Sequence, residues 1–308
     1  MTDTNNRLFT KAIDFIKDPD YRFLALARHG FYDSLSDEEY IRRKFHTLMG
    51  YYPNLDDPQT FNEKLQWLKL HDRRPEYVKM VDKYEVKKYV ADIIGEEYII
   101  PTLGVWDRFD DINFSQLPDQ FVLKCTHDSG GIVICKDKSK FDIQSAKAKI
   151  NKSLKRNYYY VGREWPYKDV KPHIIAEPYL TDESGFELKD YKILCFNGIP
   201  KLIELHSGRF LDNQMQDFYD CDWKKLSISQ SGNKKYQVSS VIAPRPKNLE
   251  KMIELSSVLS KDFRHIRVDW YEIKDNLLFG ELTFFDGSGF VPFDNFQHDL
   301  LLGSWINL

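Results

Sequence analysis

Cysteine is scarce in this chain. Its 308 residues hold four, Cys125, Cys135, Cys195 and Cys221, with no C-x-x-C pair and none spaced with a histidine as a metal ligand set requires. That pattern excludes a disulfide framework and a zinc site. Cys125 and Cys195 lie in apolar, strand-like runs, so the thiols read as reduced and mostly buried, and the chain as cytoplasmic. No apolar run approaches the roughly 20 residues of a membrane span. Residues 1–20 carry charges throughout and lack an apolar signal core, so neither stable membrane insertion nor secretion is expected. An excess of one charge is missing too. The net charge is -3, which gives no basic field for nucleic acid and too little acid for a polycation partner. The phosphate loop G-x-x-x-x-G-K-[ST] is absent, as is a G-x-G-x-x-G turn opening a helix, and with them the P-loop and Rossmann routes to a nucleotide. There is no internal repeat, low-complexity tract or long linker.

What is present is enough apolar surface for a sizeable core, 42% hydrophobic and 15% aromatic residues, on a length that suits two lobes or one elaborate domain. Roughly the first ninety residues read as helix. Leu8, Ala12, Phe15 and Ile16, then Phe23, Leu26 and Ala27, recur at three- and four-residue spacing, and acids mixed with bases make this a helix packed on the body rather than a membrane-surface helix. Thr60 and Glu63 form a capping box opening the next helix. Another begins near Asp82 and stops at Gly95. The texture then changes to strands at Phe121–Cys125 and Ile132–Cys135, joined by the small-residue loop Thr126–Gly131. A helix over 143–155, a strand over Ile174–Glu177 and a hairpin turning at Asn197-Gly198 follow. A helix over 247–260 and two strands, about 264–273 and 277–285 around Asp275-Asn276, close the series. Lys152 to Tyr160 is basic and tyrosine-rich, read as a helix end and loop.

The chemistry-bearing residues stand at strand ends. Lys124 ends an apolar strand before the glycine loop, where an ammonium reaches nucleotide phosphates and the loop N–H groups cover them; the competing reading is a solvated lysine. Glu177 ends a strand before Pro178, Tyr179 and Leu180, a setting for a purine edge. Asp190 and Lys192 share one strand face, as an ion pair or as function. Arg267 and Asp269 share a face of one late strand, Glu281 and Thr283 a face of the next, and a tight turn brings Asp269 within about one residue of Glu281. Facing carboxylates repel unless neutralised, which magnesium ions with hard oxygen ligands would do.

The order of these motifs resembles the ATP-grasp superfamily, and more narrowly the branch named after the teichuronopeptide biosynthesis protein TupA. The phrases that carry the resemblance are Thr60 to Trp67, Asp82-Lys83-Tyr84, Phe121 to Cys125 with His127, Asp190 to Lys192 with Phe196-Asn197-Gly198, and Arg267 to Tyr271. It implies an α+β fold of two lobes sandwiching ATP behind a helix-rich N-terminal region. Residues 1–95 would be that region, 96–180 the small lobe with the glycine loop, and 181–308 the large lobe with the metal site. It implies ATP and Mg²⁺ as cofactors. Lys83, Lys124 and Lys192 would contact phosphates together with His127, Ser129, Gly130 and Gly131. Glu177, Tyr179 and Leu180 would hold adenine, and Asp190 the ribose. Asp269 and Glu281 would ligate magnesium, with Thr283 where many relatives carry asparagine. Arg267 would act with Lys124 in catalysis. Arg209, Ser288 and Gly289 are the candidate contacts to a saccharide or other small-molecule substrate. The implied reaction joins a hexuronic acid carboxylate, in a surface or capsular polysaccharide or its precursor, to an amine. A glycosyltransferase, a small-molecule kinase and a non-catalytic assembly protein are the alternatives.

Overall fold

The structure, a computed structural model, describes residues 14–185, 187–208, 214–230 and 236–308. Leu8 and Ala12 of the expected opening helix, and Arg209, lie outside them.

The first part is helical, as its periodicity predicts. Helix α1 spans Pro19–Ala27, with Asp18 capping the N–H groups of Asp20 and Tyr21. Helix α2 (Asp37–Met49) starts on the Ser36 hydroxyl, carries Asp37, Glu38 and Glu39 in its first turn against the helix dipole, and ends at Gly50 with φ 81°. Helix α3 (Phe61–His71) has the expected Thr60–Glu63 capping box. Short α4 (Tyr77–Val81) leads to α5 (Glu85–Ile94), whose first N–H groups are met by Asp82.

Two antiparallel sheets follow. The smaller has the order β1-β4-β2-β3, from Gly104–Trp106 (β1), Phe121–Cys125 (β2), Ile132–Cys135 (β3) and Ile174–Pro178 (β4). Burial alternates along β2: Phe121, Leu123 and Cys125 are buried and pack, with Ile174 and Ala176 of β4, against Ala146 and Ile150 of helix α6 (Ile143–Leu154). Lys124 therefore projects from the opposite face.

The larger sheet has the order β7-β6-β5-β8-β9: Asp190–Phe196 (β5), Ile199–Ser207 (β6), Met215–Tyr219 (β7), His265–Ile273 (β8) and Asn276–Thr283 (β9). The β5–β6 hairpin turns on Asn197 and Gly198, at φ 50° and 79°, the pair of positive φ values that a two-residue hairpin demands. The late hairpin turns one residue earlier than expected, with Lys274 at φ 57°. Helix α7 (Tyr159–Gly162) lies between β3 and β4 of the smaller sheet in sequence. Helix α8 (Leu249–Ser260) packs on β5, β6 and β8, covering Ile193, Cys195, Ile266, Val268 and Trp270; the Trp270 indole donates to Ser256 Oγ at 2.8 Å. With one face closed by α8, strand alternation sends Asp190, Lys192, Arg267 and Asp269 to the other. Helix α9 (Phe296–Ser304) returns to α3. No helix of the described residues is long and apolar enough to cross a membrane.

Candidate active site

The open face of the larger sheet carries a continuous row of charge. Lys192 on central β5 pairs in register with Glu204 on β6 and Asp269 on β8, and Asp190 pairs with His206. Arg267 pairs with Thr283 of β9. Between Val268 and Trp270 the β8–β9 register shifts by one residue, so that Gly280 and Glu281 together oppose Asp269. A Cβ on Gly280 would sit 3.1 Å from the Asp269 carbonyl, closer than an ordinary contact, so glycine lets the bulge form without a backbone shift.

Arg267 is the hub. Its guanidinium grips both Asp269 oxygens, Nε at 2.7 Å and Nη2 at 2.8 Å, and Nη2 also donates to Glu281 and to the Thr283 hydroxyl, each at 3.1 Å. Its remaining nitrogen reaches Asp286, beyond β9. Asp269 and Glu281 thus share one face, as expected, but here a cation of the protein itself lies between them. Lys192 binds Asp190 at 2.8 Å and also Asp269. Burial pushes Asp269 up to about 6 against the opposing pull of Arg267 and Lys192. Burial would raise Glu281 as well, but Arg267 and Lys192 overcome it and hold its carboxyl below the usual range. Asp190 is 1% exposed and committed to Lys192, which leaves little surface for the ribose hydroxyl expected there.

A magnesium ion needs hard oxygen donors and commonly takes one or two carboxylates plus substrate phosphates. Among the described residues no three His, Cys, Asp or Glu side chains form a ready-made cage. Asp190, Glu204, Asp269, Glu281 and Asp286 nonetheless outnumber the lysine and arginine they surround, and the Glu281 side chain keeps 45% of its surface exposed. A metal arriving with its nucleotide, rather than a permanently caged ion, would meet Glu281 and the Thr283 hydroxyl first; Asp269, 1% exposed and held by Arg267 and Lys192, would join them only by yielding one of those partners.

The smaller sheet supplies the second half of the site. Glu177 on β4 is clamped by Lys124 and Lys87, one on each oxygen at 2.5 Å. Burial would raise the Glu177 carboxyl; the two ammonium groups overcome it and lower it. Burial opposes the charge on Lys124, but Glu177 raises it. Lys87, on α5, also donates to the Ile100 carbonyl and Thr102. It gave no sequence signal apart from its helix. Tyr179 and Leu180 follow, half-buried at the strand end.

Between β2 and β3 the glycine loop is fixed from below and open above. The Asp128 carboxylate accepts from the Gly131 N–H at 3.2 Å and from the Ser153 hydroxyl. A Cβ on Gly131 would run into Ser153 and Asp128. The His127 ring is buried against the carbonyls of Ser153 (3.2 Å) and Arg156 (3.1 Å), so its side chain braces the loop instead of reaching outward. Ser129 and Gly130 are exposed at the tip, Gly130 with φ 115°. Lys83 Nζ binds the Asp128 carbonyl, and its own N–H binds the Thr126 carbonyl at 3.0 Å.

Ser288 and Gly289, expected to touch an acceptor, are turned inward by helix α3. Lys69, fully buried, donates to the Ser288 carbonyl (2.7 Å), the Ser288 hydroxyl (3.1 Å), the Gly162 carbonyl (2.8 Å) and Gln66 (2.9 Å). Gln66 donates to the Gly289 carbonyl at 2.6 Å. The loop's part in the site is to present Asp286 to Arg267.

A cavity of about 980 Å³ opens beside the loop at Asp128 and Gly130. Its basic groups include Arg28, Lys44, Lys149, Lys152 and Arg156, with Tyr160 on the wall. The basic, tyrosine-rich stretch of the sequence is one side of this cavity. Burial pulls Lys44 down to about 8.

Residues 63–307 match the sequence model of the TupA-like ATP-grasp family. Among solved structures the chain is similar to D-alanine–D-alanine ligase from Helicobacter pylori, with 17% identity over 80% of this chain and 69% of that one and a TM-score of 0.41. It is similar to D-cycloserine synthetase, with 14% identity over 75% and 70% and a TM-score of 0.40. It is also similar to an ADP complex of N5-carboxyaminoimidazole ribonucleotide synthetase, with 12% identity over 81% and 57% and a TM-score of 0.36. No curated protein matches the chain.

Proposed function

This chain belongs to the TupA-like ATP-grasp family, and from that premise we propose that it is an ATP-dependent carboxylate–amine ligase whose carboxylate is a hexuronic acid of a surface polysaccharide or its precursor. The observation that carries the reading is the charged sheet face: Arg267 holds Asp269, Glu281, Thr283 and Asp286, and Lys83 and Lys124 lie near enough for their charges to act with Glu281.

A carboxylate resists nucleophiles because its charge repels them. Transfer of the ATP γ-phosphoryl group gives an acyl phosphate, which an amine converts to an amide. Glu281 and Thr283, with Asp269, would hold the magnesium that comes with ATP, and that ion would supply neutralisation of phosphoryl charge. Lys83, Lys124 and the N–H groups of Ser129, Gly130 and Gly131 hold the phosphates. Glu177, Tyr179 and Leu180 flank the base. Arg267 and Lys192 stabilise the charge on the transferring group and the later oxyanion. The basic cavity beside the loop suits an acidic saccharide.

The test is ADP release from Mg-ATP with glucuronate or galacturonate and a panel of glycine, L-alanine, L-glutamate and ethanolamine. Release that requires both acid and amine, and that stops when magnesium is chelated, is the expected result. Turnover with the sugar alone to a stable phosphate ester would replace the ligase with a kinase.

The cavity makes a prediction with a sign. Lys44 is charged below about 8, so the cavity loses a positive charge as pH rises through that value. The KM for the acidic substrate is expected to rise roughly fivefold from about pH 7 to about pH 9, the size of about 1 kcal/mol of pairing, and to stay flat in Lys44→Met. Fold stability moves the other way. The unfolded lysine keeps its 10.5, so the unfolded chain binds more protons between about 8 and 10.5, and stability rises with pH across that window. A KM that rises while stability rises cannot be unfolding.

A further inference from the structure

The charged face does not end at Lys192. On β6 Glu204 and His206 continue it, and no step above uses them. Both are buried, at 3% and 8% exposure. His206 Nε2 lies 2.5 Å from Glu204 Oε1. The same oxygen accepts from Gln216 Nε2, also at 2.5 Å, and Gln216 is held at 3.1 Å by Gln230. That leaves Glu204 Oε2 and His206 Nδ1, two buried polar atoms without a hydrogen-bond partner among the described residues. A buried polar atom left unpaired is costly, and such pairs persist where a ligand satisfies them.

We propose that Glu204 and His206 are the amine-accepting pair of the ligase reaction, in which Glu204 Oε2 anchors the incoming ammonium and His206 Nδ1 takes its proton. The inference rests on the ligase reading above. An ionised carboxylate can only accept, so the ring nitrogen facing Glu204 carries the hydrogen and Nδ1 presents its lone pair. A carboxylate that fixes an imidazole tautomer and leaves the other nitrogen as base is the logic of hydrolase triads, met here on a different fold. Burial would raise Glu204, but the hydrogen bond that His206 Nε2 donates, together with Arg267 and Lys192, keeps it well below the usual carboxylate range, hence ionised. Its strand neighbour in register is Lys192, next to Asp269 and Arg267, so the anchored amine stands beside the phosphoryl-transfer groups.

The step balances. The ammonium gives one proton to Nδ1. The freed nitrogen pair forms the C–N bond to the acyl carbon, the carbon–oxygen bond to the phosphoryl group breaks with its electrons on the departing phosphate, and the second N–H proton leaves with that phosphate. His206 returns its proton to solvent once the products have left. Both atoms are closed to solvent here, which protects an acyl phosphate from hydrolysis.

Hydroxylamine supplies the test, because it is already largely neutral near pH 7 and needs no base. Wild-type enzyme with Mg-ATP and a hexuronate is expected to form both the hydroxamate and the amide of the best amine in the panel. His206→Asn should keep hydroxamate formation within a few-fold and lose amide kcat by about 100-fold or more. Glu204→Gln should raise the amine KM and lower amide kcat. Retained hydroxamate shows that the variant folds and binds ATP. Amide formation by His206→Asn at the wild-type rate overturns the pair and leaves the ligase intact. No hydroxamate from wild type overturns the ligase reading and the pair with it.

Discussion

Arg267→Met is expected to lower ATP-dependent amide formation by roughly 10³–10⁵-fold, the range that a transition-state arginine contributes in phosphoryl transfer. The size follows from what the side chain holds. One guanidinium touches both oxygens of Asp269 and one each of Glu281, Thr283 and Asp286. Without it, two nearly buried carboxylates, Asp269 and Asp286, lose their main counterion, and stability falls by roughly 3–5 kcal/mol. Activity loss alone would then be ambiguous, so Arg267→Lys is the sharper variant. It keeps the charge but not the planar fork that meets two oxygens at once. Folding by circular dichroism should be near normal, kcat should drop at least about 100-fold, and the KM for ATP should stay within a few-fold. Asp269→Ala should lose turnover alongside it. An Arg267→Lys enzyme with wild-type kcat would remove Arg267 from the chemistry and leave it a structural clamp.

Lys69→Met carries a stability effect of the same size, in a residue outside the chemistry. Lys69 is fully buried and its ammonium joins α3 to the Gly162 and Ser288 carbonyls while lying 4.3 Å from the centre of the Phe290 ring. Burial pulls it down to about 7, with Glu164 opposing. Methionine matches the stem but abandons three carbonyl or hydroxyl oxygens and the buried Glu164, at a cost of roughly 3–5 kcal/mol by urea unfolding. Asp286 sits on the same loop as Ser288, so activity should fall as well, in kcat more than in the KM for ATP. Arg in place of Lys69 should not rescue, because a guanidinium is larger than the space. A Lys69→Met protein as stable as wild type would show that the network is incidental.

Much of the fold was legible because it depends on short range. The Thr60–Glu63 box, the Asn197-Gly198 turn and the alternation that sends Arg267 and Asp269 one way and Val268 and Trp270 the other are fixed by neighbours a few residues apart. The facing of Asp269 and Glu281 followed from a tight hairpin, although the turn lies one residue earlier and a bulge at Gly280 makes up the difference.

Tertiary structure decided the rest. Asn62, Gln66 and Lys69 recur at helical spacing, which in a sequence describes a solvated stripe as well as a buried one. Only packing put them inside, where Asn62 meets Asp299 at 3.0 Å and Lys69 meets Ser288 from 219 positions away. The Lys87 clamp on Glu177, the Glu204–His206 pair and the basic cavity are of the same kind. Charge and hydrogen-bonding capacity are written in the sequence. Whether a charge meets water or another charge depends on which distant segments share a surface, and that is set by burial of the apolar faces behind them.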